Sequence, residues 1–155
     1  MRITQRELLV REDGIAYLSD VMSKNYTREK QMKTPEDIYN LMCDVYNLQN
    51  KAEEYTYLLV MNTKGKPISI FEISHGTVNS SLVDIRGIML KTLFSNGVSI
   101  ALVHNHPSGD TEPSKCDINC TKKIKEACKL MEINLLDHII IGRNKWLSLR
   151  EMELI

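Results

Sequence analysis

Residues 98–109 read Val-Ser-Ile-Ala-Leu-Val-His-Asn-His-Pro-Ser-Gly, and the change of character half-way along this run decides how the chain folds. Val98 to Val103 is short and nearly continuously apolar, the signature of a strand buried on both faces. It ends directly in His104, so His104 and His106 sit at the edge of a sheet on a rigid support. In extended backbone, residues two apart point to the same side, and both imidazoles can face one ion. Pro107 to Pro113 is a loop of Gly, Pro and small polar residues, after which a helix runs from about Ser114 to Glu132. Cys120, Ile124, Cys128 and Met131 make the buried face of that helix. Asp117, three residues before Cys120, falls on the same inward face, where a carboxylate is costly without a partner. A metal dication is a sufficient partner. His104, His106 and Asp117 are ligand types that suit zinc, and they leave a fourth position for water, which is a catalytic arrangement rather than a structural one.

Working outward, helices and strands alternate. Thr34-Pro35-Glu36-Asp37 starts a helix: Thr34 caps, Pro35 suits the first helical position and Asp37 completes a capping box. Ile38, Leu41, Met42, Val45 and Leu48 follow at helical spacing. Tyr55 to Met61 and Ile68 to Ile73 read as two strands joined by the turn around Asn62 to Pro67. Alternation puts Ile68, Ile70 and Glu72 on one side of the second strand and Ser69, Phe71 and Ile73 on the other. Asp84 caps a second helix with the stripe Ile85, Ile88, Met89 and Leu93, and Asn96-Gly97 stops it. After the third helix, Leu135 to Ile141 is a strand and Trp146 to Leu149 a last short one. This order predicts an α/β sandwich with a mixed sheet. Residues 1–33 read as an N-terminal extension, either a short hairpin around Asp13-Gly14 or, from Ser23 to Lys33, a mobile segment. Residues 34–155 form the main domain.

The chain has 155 residues, 43% of them apolar and 26% charged, the balance of an ordinary globular domain with a sizeable core. Lys plus Arg equals Asp plus Glu at 20 each, so the basic excess of a free-standing nucleic-acid binder is absent. No apolar run reaches transmembrane length and no secretory signal opens the chain, so no membrane partner is expected. Cys43, Cys116, Cys120 and Cys128 then read as free thiols of a cytoplasmic protein. Cys116 and Cys120, one helical turn apart, read first as small buried hydrophobes and otherwise as ligands or redox thiols.

Bound zinc lowers the pKa of its water to about 7, and hydrolysis also needs a base. Glu72 is the candidate base, because it interrupts an apolar strand; it also reads as a solvated residue, and Glu53 and Glu54 just before the first strand are alternatives. Ser114 can donate a hydrogen bond to the oxyanion of a tetrahedral intermediate, and Ser114 to Asp117 equally reads as a plain capping box. Asp137-His138 reads either as a supporting pair behind the ligands or as a structural pair. Lys122, Lys125 and Lys129 fall on one helix face, either solvated or a nucleic-acid patch.

His104-x-His106, seven residues, then Ser114-x-x-Asp117 resembles the signature of the JAB/MPN metalloprotease domains, the JAMM motif. The neighbouring segments 104–109, Gly76-Thr77-Val78-Asn79-Ser80-Ser81 and Leu136-Asp137-His138-Ile139-Ile140-Ile141-Gly142 are similar to the RadC branch of that family. The resemblance covers roughly residues 34 to 150. It implies a cytidine-deaminase-like three-layer α/β/α fold and one zinc ion on His104, His106 and Asp117. It also implies Glu72 as general base, Ser114 as intermediate stabiliser, and hydrolysis of a peptide or isopeptide amide in a peptide or protein substrate. Substrate preference would then reside in the loops 76–81 and 107–113. Typical full-length RadC-like proteins carry an N-terminal helix-hairpin-helix region often linked to DNA, and the first thirty-three residues are too short for it. The alternative is a non-catalytic module of DNA repair or recombination that holds a metal. A zinc deaminase is disfavoured, because the His-x-Glu and Pro-Cys-x-x-Cys pattern is missing.

Overall fold

Seven strands form one mixed sheet in the computed structural model, which describes residues 1–28, 31–76 and 84–155. The strands are β1 (Arg2–Val10), β2 (Ala16–Asn25), β3 (Glu54–Met61), β4 (Pro67–Gly76), β5 (Ser99–Asn105), β6 (Asn134–Ile141) and β7 (Trp146–Ser148). The helices are α1 (Pro35–Tyr46), α2 (Ile85–Phe94) and α3 (Lys115–Leu130). The sheet order is β2-β1-β4-β3-β5-β6-β7; β1 runs parallel to β4 and β5 parallel to β6, and the other neighbours are antiparallel. Among the described residues no helix is long and apolar enough to cross a membrane.

The two faces of the sheet bury separate cores. Ile38, Leu41, Met42 and Val45 of α1 pack on Leu59, Met61, Ile70, Val103 and Ile139. Ile88 and Met89 of α2, with Ile124 and Cys128 of α3, pack on Leu58, Val60, Phe71, Ile100 and Leu102. The layers are therefore α/β/α, and each fully buried aliphatic side chain contributes roughly 1.5–3 kcal/mol. All seven residues of β5 are buried, as its apolar run requires for a strand covered on both sides.

Local chemistry sets the helix ends. Thr34 accepts from the Asp37 N–H at 3.2 Å, and the Asp37 carboxylate accepts from the Thr34 N–H at 2.9 Å, the reciprocal box expected there. Asp84 caps α2 by accepting from the Gly87 N–H at 3.0 Å. A Cβ at Gly97 would lie 2.2 Å from Val60 Cγ1, so only glycine lets the chain leave α2 so close to β3.

Two features depart from the sequence expectation. The hairpin around Asp13-Gly14 is longer than its apolar runs suggest, taking in Ser23 to Asn25, and β1 joins the sheet through β4. Irregularities in the β3–β4 pairing between Val60 and Met61 and between Thr56 and Tyr57 break simple alternation. Ile68 consequently packs with Phe71 and Ile73 on the α2 and α3 side, while Ile70 faces α1.

Candidate metal centre

His104 lies in β5 opposite Thr56 of β3 and beside Ile140 of β6, so its backbone is held from both sides. The pairing with β6 continues through the His106 N–H, which donates to the Ile141 carbonyl at 2.9 Å. The two-residue period then aims both rings the same way, and their Nε2 atoms lie 2.9 Å apart. Asp117 approaches from the first turn of α3, with carboxylate oxygens 3.8 Å from His104 Nε2 and 3.9 Å from His106 Nε2. The His104 side chain is 2% exposed, that of His106 18% and that of Asp117 15%, so the cluster opens to solvent on the His106 and Asp117 side.

Hydrogen bonds fix which ring nitrogens keep a lone pair. His106 Nδ1 lies 2.8 Å from the Asp110 carbonyl, which can only accept, so Nδ1 carries the proton and neutral His106 presents Nε2 bare. A longer chain orders His104. Thr121 Oγ1 donates to the Asp117 carbonyl at 2.6 Å, so its oxygen accepts from His138 Nδ1 at 2.6 Å. His138 Nε2 then accepts from His104 Nδ1 at 2.7 Å, and neutral His104 also presents a bare Nε2. Burial and the neighbouring His138 hold His104 well below its ordinary pKa, despite the opposing pull of Asp117. Burial, with a smaller contribution from His106, lowers His138 to about 3. In their neutral forms the two imidazoles aim lone pairs into one space beside a carboxylate.

That donor set fits a metal ion. Tetrahedral zinc with bonds of about 2.0–2.1 Å separates two nitrogen ligands by about 3.3 Å, a few tenths more than the spacing here. A second carboxylate borders the same space. Glu54, His104 and His106 offer ligand atoms that all lie within 4.8 Å of one another. Burial raises the Glu54 pKa, His106 pulls it down and Asp117 pushes it up, which records how close the three groups are.

Ser114 lies at the mouth. Its N–H and hydroxyl donate to Asp117 Oδ2 at 2.8 and 2.7 Å, and Ser114 Oγ accepts from the Asp117 N–H at 3.1 Å. Of the two readings of Ser114-x-x-Asp117, the structure shows the capping box, and the box that starts α3 also fixes the Asp117 carboxylate.

Glu72 requires a correction. It does share a side of β4 with Ile70, but that side faces α1, whereas His104 faces α3. The Tyr57 hydroxyl donates to Glu72 at 3.4 Å and His75 Nδ1 lies 2.8 Å from it; the Tyr46 pKa is raised by burial first, and then by Tyr57 and Glu72. Tyr57 belongs to the α1-side core, so the sheet itself separates Glu72 from the histidines. Glu54, weighed only as an alternative, is the glutamate at the cluster. The signal for it was its place at the start of a strand antiparallel to β5.

The Asp137-His138 pair divides its work. His138 supports His104, whereas Asp137 accepts from Ser148 Oγ at 2.5 Å and from the His138 and Arg150 N–H groups at 2.7 and 3.2 Å, tying β6 to β7 and the following turn. Cys116 and Cys120 are partly buried and outside any disulfide, and burial raises Cys120 to about 11, which suits an inert thiol. Of the two loops expected to set substrate preference, residues 77–81 lie outside the described residues.

A sheet sandwiched between helices, with two imidazoles where a central strand ends and a carboxylate where the next helix begins, defines an α/β domain with a cluster of side chains that could hold a metal ion. The chain belongs to the RadC-like JAB domain family, whose model matches residues 32–154. It is 45% identical over 123 residues to a UPF0758 protein of Clostridium botulinum, covering 79% of this chain and 53% of that protein. A UPF0758 protein of Clostridium tetani is 47% identical over 103 residues, 66% of this chain and 45% of the relative. The chain thus spans about half the length of the curated relatives it matches.

Proposed function

We propose that the chain is a zinc-dependent hydrolase that cleaves a peptide or isopeptide amide in a peptide or protein substrate. The observation that carries this reading is the pair of Nε2 lone pairs 2.9 Å apart, with Asp117 and Glu54 around them. His104, His106 and Asp117 would hold the ion, and zinc bound there supplies Lewis acidity and makes water acidic near pH 7. Glu54 is the residue that accepts the proton of the attacking water and returns it to the leaving amine. Its burial favours this work, since a carboxylate pKa raised toward neutrality is better matched to proton transfer at that pH. Ser114 aims Asp117 and, by turning its hydroxyl outward, can donate to the developing oxyanion. Thiols outside any disulfide fit a reducing, cytoplasmic setting.

The test combines metal analysis with turnover. Zinc-loaded protein should hold one ion per chain and cleave members of a broad peptide and isopeptide library. Glu54→Gln should lower kcat by roughly a hundredfold or more at unchanged zinc content, within the range for general acid–base groups. Glu72→Gln should leave kcat within about twofold, because no contact joins Glu72 to the cluster. If Glu54→Gln is fully active, the base is assigned wrongly. Stoichiometric zinc without any cleavage would favour the DNA-associated module. Its case rests on Lys122, Lys125 and Lys129, which are exposed on α3.

A further inference from the structure

Asn105 stands between the two histidines in sequence, yet its side chain serves another element. It is 2% exposed, and its amide makes two bonds to the start of β3. The Tyr55 N–H donates to Asn105 Oδ1 at 2.8 Å, and Asn105 Nδ2 donates to the Glu53 carbonyl at 3.0 Å. Because the partners are a backbone donor and a backbone acceptor, the orientation of the amide is unambiguous. The ladder between β3 and β5 ends at Thr56 opposite His104. A side-chain amide carries the same acceptor and donor as a peptide group, so Asn105 extends the pairing of β3 with β5 beyond its last backbone rung.

These two bonds fall on the residues immediately before and after Glu54. They fix the backbone that carries Glu54 while leaving its side chain unencumbered, and β4 holds the other edge through the pairing of Glu54 with Gly76. We infer that Asn105 is a positioning residue for Glu54, which locks the register of that carboxylate to the two histidines flanking Asn105 itself. One tripeptide, His104-Asn105-His106, then supplies two metal donors and the device that keeps the base at a fixed distance from them. The inference rests on the reading of Glu54 given above. It adds that histidine and glutamate geometry cannot drift independently, because Asn105 ties the backbone on both sides of Glu54 to the strand end that carries the histidines.

The test uses cobalt(II) alone as a probe and compares the full chain with Asn105→Ala, Glu54→Gln and the double variant. In the unaltered protein the Tyr55 amide should exchange with solvent at least about tenfold more slowly than an open amide, a measurement no folding failure can spoil. Exchange at the unprotected rate overturns the inference outright. Asn105→Ala should speed Tyr55 exchange at least about tenfold while leaving Leu58 exchange unchanged. It should keep cobalt affinity within about threefold, below the 10–100-fold loss typical when a partner of a ligand is removed. The cobalt absorption spectrum should shift as it does in Glu54→Gln, with no further shift in the double variant. A shift in Glu54→Gln without one in Asn105→Ala sinks the role of Asn105 alone. No shift in Glu54→Gln sinks the placement of Glu54 and the inference with it. A cobalt affinity lowered more than about tenfold by Asn105→Ala would make Asn105 a support of the ligands instead, which also overturns the inference.

Discussion

One proton decides what His104 offers. Because the Asp117 carbonyl can only accept, the Thr121 hydroxyl must donate to it, and the order of protons through His138 to His104 follows. Thr121→Val keeps the shape and removes the donor, so the chain loses its direction. Metal affinity should fall roughly 10–100-fold, read by competition with a chromophoric chelator. The same burial makes the metal-free protein sensitive to acid. In the unfolded chain His104 and His138 protonate near 6.5, whereas in the folded state both stay neutral to lower pH, His138 to about 3. Below pH 6.5 the unfolded state therefore binds more protons, and stability falls with pH. Each histidine contributes at most roughly 2 kcal/mol of loss by pH 5. Glu54 and Asp137 have raised pKa values and act oppositely, their stabilisation being lost as pH rises through the carboxyl range. Melting of metal-free protein between pH 7 and 5 should show Tm falling, with a shallower slope in His138→Gln; a flat profile would contradict the burial argument.

At the scale of elements, the start of α3 is the part most exposed to test. Ser114 satisfies the first turn and holds the Asp117 carboxylate, so one substitution disturbs the helix and the proposed ligand together. Ser114→Ala should cost about 1 kcal/mol of stability and also weaken zinc binding, whereas Ser114→Thr should preserve both; calorimetry and zinc titration separate the two effects. A zinc affinity unchanged by Ser114→Ala would mean that Asp117 needs no such support. The elements of this region were legible in advance because their signals are local: both capping boxes, the apolar run of β5, the two-residue period of the histidines and the helical spacing of Asp117. Glu72 was misplaced for a reason of the same kind. Alternation says which residues share a side of one strand, but the side of the sheet is set by pairing between β3, β4 and β5, which no local pattern encodes. For the same reason His138 could be read equally as a support or as a structural residue, and Asn105 carried no local signal, since their partners lie 34 residues away at His104 and 52 and 50 residues away at Glu53 and Tyr55.

The whole molecule sets the cluster inside a sheet whose far edge is supplied by the first hairpin. The family match begins at residue 32, after that hairpin, yet β1 and β2 are integral to the sheet. Ile3 and Tyr26 are buried in the α1-side core, and Arg6 donates to the Ile68 carbonyl at 2.9 Å and the Ser69 hydroxyl at 2.7 Å. The candidate metal cluster draws on β3, β5 and α3, with β4 lying between them and the hairpin. Removing residues 1–26 should therefore act on stability and solubility rather than on the site. Loss of Ile3 and Tyr26 burial alone amounts to roughly 3–6 kcal/mol, and β4 would become an open edge prone to pair with other chains. The truncated protein should melt at lower temperature and aggregate at concentrations where the full chain stays monodisperse, as scanning calorimetry and light scattering would record. The fraction that remains folded should bind zinc with affinity within about threefold of the full chain, since no ligand or support is touched. A larger loss of affinity would show that the hairpin shapes the centre through β4, and that the sheet transmits strain across a whole strand.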